Sequence, residues 1–217
     1  SSYFPWSKYG VGSYGKTASY DPFKIIIEEA YAQALSVHAW VNPMRLMSTS
    51  EITSVSSSSI IGQWYNDSSK RGTYIVAVNG MYYLNPGYAD VRNLIVNGVT
   101  EICQNYNVDG IHFDDYFYPL GAGNSFDQAA FTASGQANRS VWRKLCVNAF
   151  VKGTYEAVKA VDSGIIFGIS PAGSIASNTG YLCADVRTWC SQAGYVDYVA
   201  PQLYWGFDHT ISPFDEA

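Results

Sequence analysis

Apolar residues recur along this chain in two rhythms that take turns. One is helical. Phe23, Ile26, Ile27, Ala30 and Ala34 fall three or four apart after Asp21-Pro22, a pair that suits an N-cap followed by the first helical position. This predicts a helix from Asp21 to near Leu35, preceded by a Gly/Tyr/Ser-rich loop over residues 1–20. The other rhythm is a short, nearly continuous apolar run: VHAWVN (37–42), VDGIHFD (108–114), IIFGIS (165–170) and VDYVAPQL (196–203). Between these runs lie predicted helices over about 88–106, with Val91, Leu94, Ile95, Val99 and Ile102 on one face, and over about 138–161 and 181–193. Short apolar runs separated by helical patterns are what parallel strands covered on both faces by crossover helices look like. A second kind of strand pair flanks Asn79-Gly80, where Tyr74–Val78 and Met81–Leu84 predict a hairpin with a type I′ turn. Residues 43–72 read as a polar loop, and 115–137 as a loop with a helical turn near 126–132.

The spacing between elements carries a second message. Helix-to-strand connections are one to three residues, whereas strand-to-helix connections run over 43–87, 115–137 and 171–180. In α/β folds the ligand site is built from the loops that follow the carboxyl ends of strands. No Gly-rich phosphate loop follows an early strand, which argues for a (β/α)8 TIM barrel over a doubly wound nucleotide fold. Four parallel strands are visible where eight are needed. The expectation is therefore an α/β partial barrel of about four parallel strands, one catalytic-type domain over 1–217, truncated at both ends.

Composition narrows the ligand. Charged residues make up 14% and aromatic residues 16%, including 18 Tyr, and the net charge is −5. With no excess of Lys and Arg, a nucleic-acid grip is not expected. No apolar run reaches the roughly 18–20 residues of a membrane span. A surface poor in charge and rich in Tyr, Trp, Asn, Ser and Gly suits an oligosaccharide or polysaccharide. Cys103, Cys146, Cys183 and Cys190 fall in segments that read as helices, without Cys-x-x-Cys spacing or a His cluster, so neither a metal nor a cofactor is expected. Free buried cysteines are the leading reading, and a disulfide stays open for an exported protein.

At the carboxyl ends of the predicted strands stand Asn42 with Arg45 beyond it, Asp114 followed by Asp115, Ser170, and Gln202 followed by Tyr204 and Trp205. Alternation places His38, Trp40 and Asn42 on one face, and His112 with Asp114 on one face, with Asp115 opposite unless the strand has ended and the backbone turns. Asp109 and Asp197 sit at strand starts, where they cap or pair on the scaffold side. Carboxyl groups among Asn, Arg, Gln, Tyr and Trp fit glycosidic bond cleavage, which uses two carboxyls about 5–5.5 Å apart for retention or about 6.5–9.5 Å for inversion. Asp114 is the expected central carboxylate and Asp115 the second. Asn42, Arg45, His112, Gln202, Tyr204 and Trp205 are expected to bind sugar. Each also has a plainer reading: His112 as a satisfied core histidine, Asp115 as a loop-bonding residue, Tyr204 and Trp205 as rim packing.

The segments HAWVNPMR (38–45), NPGYADVRNLIVNGVTEICQNYNVDGIHFDDYFYP (85–119), VWRKLCVNAFV (141–151), FGISPAG (167–173) and ADVRTWCSQAGYVDYVAPQLYW (184–205) resemble, in order, the glycosyl hydrolase-like 10 family. The resemblance implies a bacterial barrel glycosidase, secreted or in the cell envelope, with peptidoglycan glycan strands among its substrates. It also implies two strands before HAWVNP and two after PQLYW, and support of the site by Asp185 and Trp189. A more distant resemblance to the α-amylase type of barrel puts Asp114 at the position of that type's nucleophile. FGISPAG has no carboxyl where that type has its acid, which leaves Asp115, Asp208 or a residue beyond Ala217 for the second role. The rival expectation is a glycan-binding barrel without catalysis.

Overall fold

The structure, a computed structural model, describes residues 3–4 and 19–208. Most of the loop expected over residues 1–20 therefore lies outside the described residues. Helix α1 (Pro22–Ala32) starts as the sequence predicts, with the Asp21 carboxylate accepting from Phe23 N and Lys24 N. It stops three residues before Leu35, because Ala34 takes a left-handed φ of 56° and Leu35 N closes on Ala30 O. Ile27 is buried, but Ile26, expected beside it, is exposed.

Strand β1 (His38–Val41) then leads into a region that the polar composition of 43–72 hides. It holds strand β2 (Arg45–Ser48), a 3-10 turn (Ile52–Ser54) and helix α2 (Ile60–Asn66), which Ser59 caps by accepting from Gly62 N. Strands β3 (Ile75–Val78) and β4 (Met81–Leu84) form the expected hairpin, with Asn79 at φ 50° and Gly80 at φ 79°. β2 joins it in an antiparallel sheet of order β2-β4-β3. Helix α3 (Ala89–Asn105), strand β5 (Gly110–Phe113), helices α4 (Gln128–Ser134) and α5 (Arg139–Val161), and strand β6 (Ile166–Ile169) follow. A single turn α6 (Ile175–Ser177), a π turn (Asn178–Leu182) and helix α7 (Val186–Ser191) lead to strand β7 (Tyr198–Val199). The helix predicted over 181–193 is thus reduced to its second half. Cys183, placed in it, stands instead at the end of the π turn with φ 56°. Cys190 is exposed, and all four cysteines are free thiols.

The main sheet is parallel, of order β1-β5-β6-β7. Neighbours in space follow one another in chain order within this sheet, without the switch point of a doubly wound sheet, so the described residues form an α/β partial barrel of four parallel strands. One face packs on α3 and α5: Ile111, Phe113, Phe167 and Ile169 are fully buried, and Phe113 stacks on Phe150 at 5.4 Å. The strand starts are tied as expected. Asp109 accepts from Val37 N at 2.7 Å and from the Tyr31 hydroxyl, and Asp197 accepts from Phe167 N at 2.7 Å while pairing with Lys159 at 2.8 Å.

The other face is shaped by missing side chains. Register aligns His112 with Gly168 and Gly168 with Tyr198. A Cβ on Gly168 would lie 2.1 Å from the Tyr198 ring, and one on Gly110 would lie 2.8 Å from the His38 ring. The two bare positions let Tyr198 lean over β6, where its hydroxyl meets Nδ1 of His112 at 2.8 Å and Nδ1 of His38 at 3.0 Å.

Candidate active site

Strand β5 ends at Phe113, so Asp114 and Asp115 follow it on backbone that has begun to turn. That changes the sequence picture. Alternation would send Asp115 to the opposite face, but its carboxyl stays within electrostatic reach of Asp114, and Asp115 N donates to Asp114 Oδ1 at 2.9 Å. Both line one cavity of about 480 Å³, with Tyr83, Tyr116, Leu120, Gln202 and Tyr204 among its walls. Burial, then the negative charge of Asp114, push Asp115 up to about 6. Asp114 Oδ1 also accepts from Gln202 Nε2 at 2.9 Å. Asp114 Oδ1 thus accepts two N–H donors, and Asp115, raised by burial, is the member of the pair that holds a proton more readily.

The remaining predicted residues fall in three groups. Gln202 and Tyr204 reach the cavity, and Tyr204 is 84% exposed, with its hydroxyl donating to Gln202 Oε1 at 3.1 Å. Arg45 borders it at one remove, its guanidinium 4.9 Å from the centre of the Tyr116 ring. His112, Asn42 and Trp205 do not line it. His112 is bonded to Tyr198, and burial, then the nearby His38, lower its pKa. Asn42 Oδ1 is buried without a hydrogen-bond partner among the described residues, and Trp205 packs over Gly173. Asp185 and Trp189 act from behind. Asp185 caps α7 through Thr188, and Trp189 donates to Asn148 at 2.7 Å while packing on Phe117, two residues from Asp115. Asp208 is exposed.

Residues the sequence did not single out complete the wall. Tyr83 comes from the accessory sheet, in register with Arg45. Tyr116, Tyr118 and Leu120 come from the loop after β5, and Asn79 of the hairpin tip donates to Leu120 O, which sets the accessory sheet on the carboxyl-end side. The signal for Tyr83 was its place in the hairpin that follows the end of β1. Among the described residues no group of three or more His, Cys, Asp or Glu is placed to hold a metal, and no helix is long and apolar enough to cross a membrane.

Comparison with known proteins adds sequence kinship. The sequence model of the family described as glycosyl hydrolase-like 10 matches residues 1–217. The chain is 36% identical to the glycosyl hydrolase YngK of Bacillus subtilis (strain 168), over 99% of this chain and 45% of that protein. It is 30% identical to the glycosyl hydrolase DigH of Escherichia coli (strain K12), over 99% of this chain and 53% of that protein. The chain thus spans about half the length of the curated relatives it matches. Similar solved structures include α-L-fucosidase isoenzyme 2 from Paenibacillus thiaminolyticus, at 15% identity and a TM-score of 0.48 over 77% of this chain and 25% of that one. The α-galactosidase AgaA from Geobacillus stearothermophilus matches at 10% identity and a TM-score of 0.45, over 82% and 21%.

Proposed function

The chain belongs to the glycosyl hydrolase-like 10 family, and from that premise we propose that it is the part of a glycoside hydrolase that carries the central carboxylate, acting on a bacterial envelope or extracellular glycan. Peptide-free peptidoglycan glycan strands are the first substrate to try. The observation that carries this reading is the Asp114–Asp115 pair at the carboxyl end of β5, inside a cavity walled by tyrosines. Tyrosine faces suit the C–H faces of sugars, and the ionised carboxylate suits the positive charge that grows on the anomeric carbon as the glycosidic bond breaks.

In this reading Asp114 stabilises the oxocarbenium-like transition state, as nucleophile or as fixed charge. Asp115 keeps a proton up to about pH 6 and is the nearest acid for the leaving oxygen. A second reading has one observation in its favour. The two carboxyls come from adjacent residues on one wall of the cavity, whereas a pair flanking a glycosidic bond stands about 5 Å apart or more. That geometry also suits a barrel that binds glycan without cleaving it.

Asp114→Asn separates the two. It keeps the size and removes the charge, so turnover should fall roughly 10²–10³-fold, as when an electrostatic stabiliser is lost. Binding to the same strands should change little. Asp109→Asn, at the scaffold end of β5, serves as the control. Release of reducing ends is the measurement, and equal rates in wild type and Asp114→Asn would remove the proposed role. No release from either, with binding retained, would favour the non-catalytic reading.

A further inference from the structure

Gln202 lies just past β7 and carries the sheet's last links. Its N–H donates to Pro171 O at 2.9 Å, and it pairs in parallel with Ala172. From there its side chain reaches across the end of β6 to β5. One Nε2 hydrogen goes to Asp114 Oδ1 and the other to Ser170 O, each at 2.9 Å. A backbone carbonyl only accepts, so Ser170 fixes which end of the amide faces Asp114. Among the described residues the opposite end, Oε1, then has one donor, the hydroxyl of Tyr204 at 3.1 Å. Both amide hydrogens are committed to protein acceptors. Gln202 therefore has no donor left for a sugar hydroxyl, and its chemistry is directed at the Asp114–Asp115 pair, with the direct hydrogen bond on Asp114. Tyr204 is the opposite case: its hydroxyl donates to Gln202, and 84% of its surface is open on the cavity rim.

We propose that Gln202 is a positioning residue that links the rim to the carboxylate: a glycan resting on the Tyr204 ring fixes its hydroxyl, the hydroxyl fixes the Gln202 amide, and the amide holds Asp114 in its working orientation. The proposal rests on the reading of Asp114 as the central carboxylate. The titratable and charged groups around Asp114 are Asp115 beside it, His112 two residues back, Tyr83 from β4, Tyr116 and Tyr118 from the loop after β5, Arg45 stacked on Tyr116, and Tyr204. Of these, Asp115 is hydrogen-bonded to Asp114 through its backbone N–H, and the Gln202 amide adds a second donor to the same oxygen.

The test uses the whole chain and two substitutions. Gln202→Met keeps length and removes both donors. Tyr204→Phe keeps the stacking ring, removes one hydroxyl and, at an exposed site, leaves folding alone. With peptide-free glycan strands as the probe, Gln202→Met should lower kcat roughly 10–100-fold, the loss expected for a hydrogen bond to a charged group, with little change in KM. Tyr204→Phe should lower kcat by a smaller factor with KM again nearly unchanged. Carboxyl-carbon NMR gives a readout independent of turnover: Asp115 should titrate at higher pH in Gln202→Met, because the Gln202 amide, which favours its charged form, is gone. Adding strands should shift the Gln202 side-chain amide signal in wild type but not in Tyr204→Phe. An unchanged titration in Gln202→Met, or an amide signal that responds equally without the Tyr204 hydroxyl, would overturn the link. Absent turnover with the NMR responses intact would instead count against hydrolysis and leave the link standing.

Discussion

At the scale of single residues, the site turns on where β5 stops. Asp114 was legible as the polar end of an apolar strand, and Gln202 and Tyr204 as the end of another. The pairing of Asp114 with Asp115 was legible only on the condition that the strand had ended, because alternation holds only while the strand lasts and Phe113 is its last residue. The partnership has a pH signature. Asp115 is raised from 3.8 to about 6 by burial and by Asp114, so the folded state binds its proton more tightly than the unfolded chain. Its contribution to stability is therefore present below about pH 3.8 and declines as pH rises to about 6. Asp115→Asn should raise the midpoint of unfolding at pH 7 and change it much less at pH 4. With the group half exposed, the gain at pH 7 is discounted to about 1 kcal/mol. Thermal melts at the two pH values check this, and an equal effect at both would refute the sign.

Between elements, the parallel sheet shows what a sequence pattern carries and what it leaves out. The runs 37–42, 108–114 and 165–170 mark strands because apolar burial on both faces leaves a continuous run. β2 and α2 were missed because each is brief: RLMS shows no alternation, and IIGQWYN offers fewer than two helical turns. The Ser59 cap before it was the available clue. The glycines were also silent, since Gly168 in FGIS reads as an ordinary strand residue. Its role depends on Tyr198, thirty residues away, lying across it. Gly168→Ala would put a methyl group 2.1 Å from that ring. The ring must then swing off β6 and release one or both histidines. Overpacking of this kind costs about 1–3 kcal/mol, and each lost hydrogen bond about 1 kcal/mol more. Urea unfolding measures the loss. Nitrogen-15 NMR of the imidazoles reads the bonds: one hydroxyl proton between two Nδ1 atoms requires one histidine to carry its proton on Nδ1 and the other on Nε2. Gly168→Ala should erase that difference.

For the molecule as a whole, the loop asymmetry in the sequence became a division of labour, with strand starts tied by Asp109 and Asp197 and strand ends built into a cavity. What holds the cavity wall to the scaffold is a buried ion cluster that no local pattern announced. Asp127, its side chain fully buried, pairs with Arg143 at 2.6 Å and Arg139 at 2.9 Å, both on α5. The same arginines donate to the carbonyls of Ala122, Gly123 and Asn124. The loop that supplies Tyr116, Tyr118 and Leu120 to the cavity is therefore clamped to the longest helix, and Arg143 also lies 5.0 Å over the Tyr118 ring. Removing the acid strands two cations in a dry place, which typically costs 3–5 kcal/mol, more than the pair itself contributes. Asp127→Ala should thus destabilise the fold by about that amount, whereas Arg139→Ala, which leaves Asp127 paired with Arg143, should cost less. Because the clamp acts on the wall and not on the carboxyl pair, hydrogen exchange in Asp127→Ala should quicken across 116–127 before it does at β5 or β6. Glycan binding should weaken while the titration of Asp115 stays in place. Uniformly faster exchange across the sheet would mean that the cluster supports the entire barrel segment and not this wall in particular.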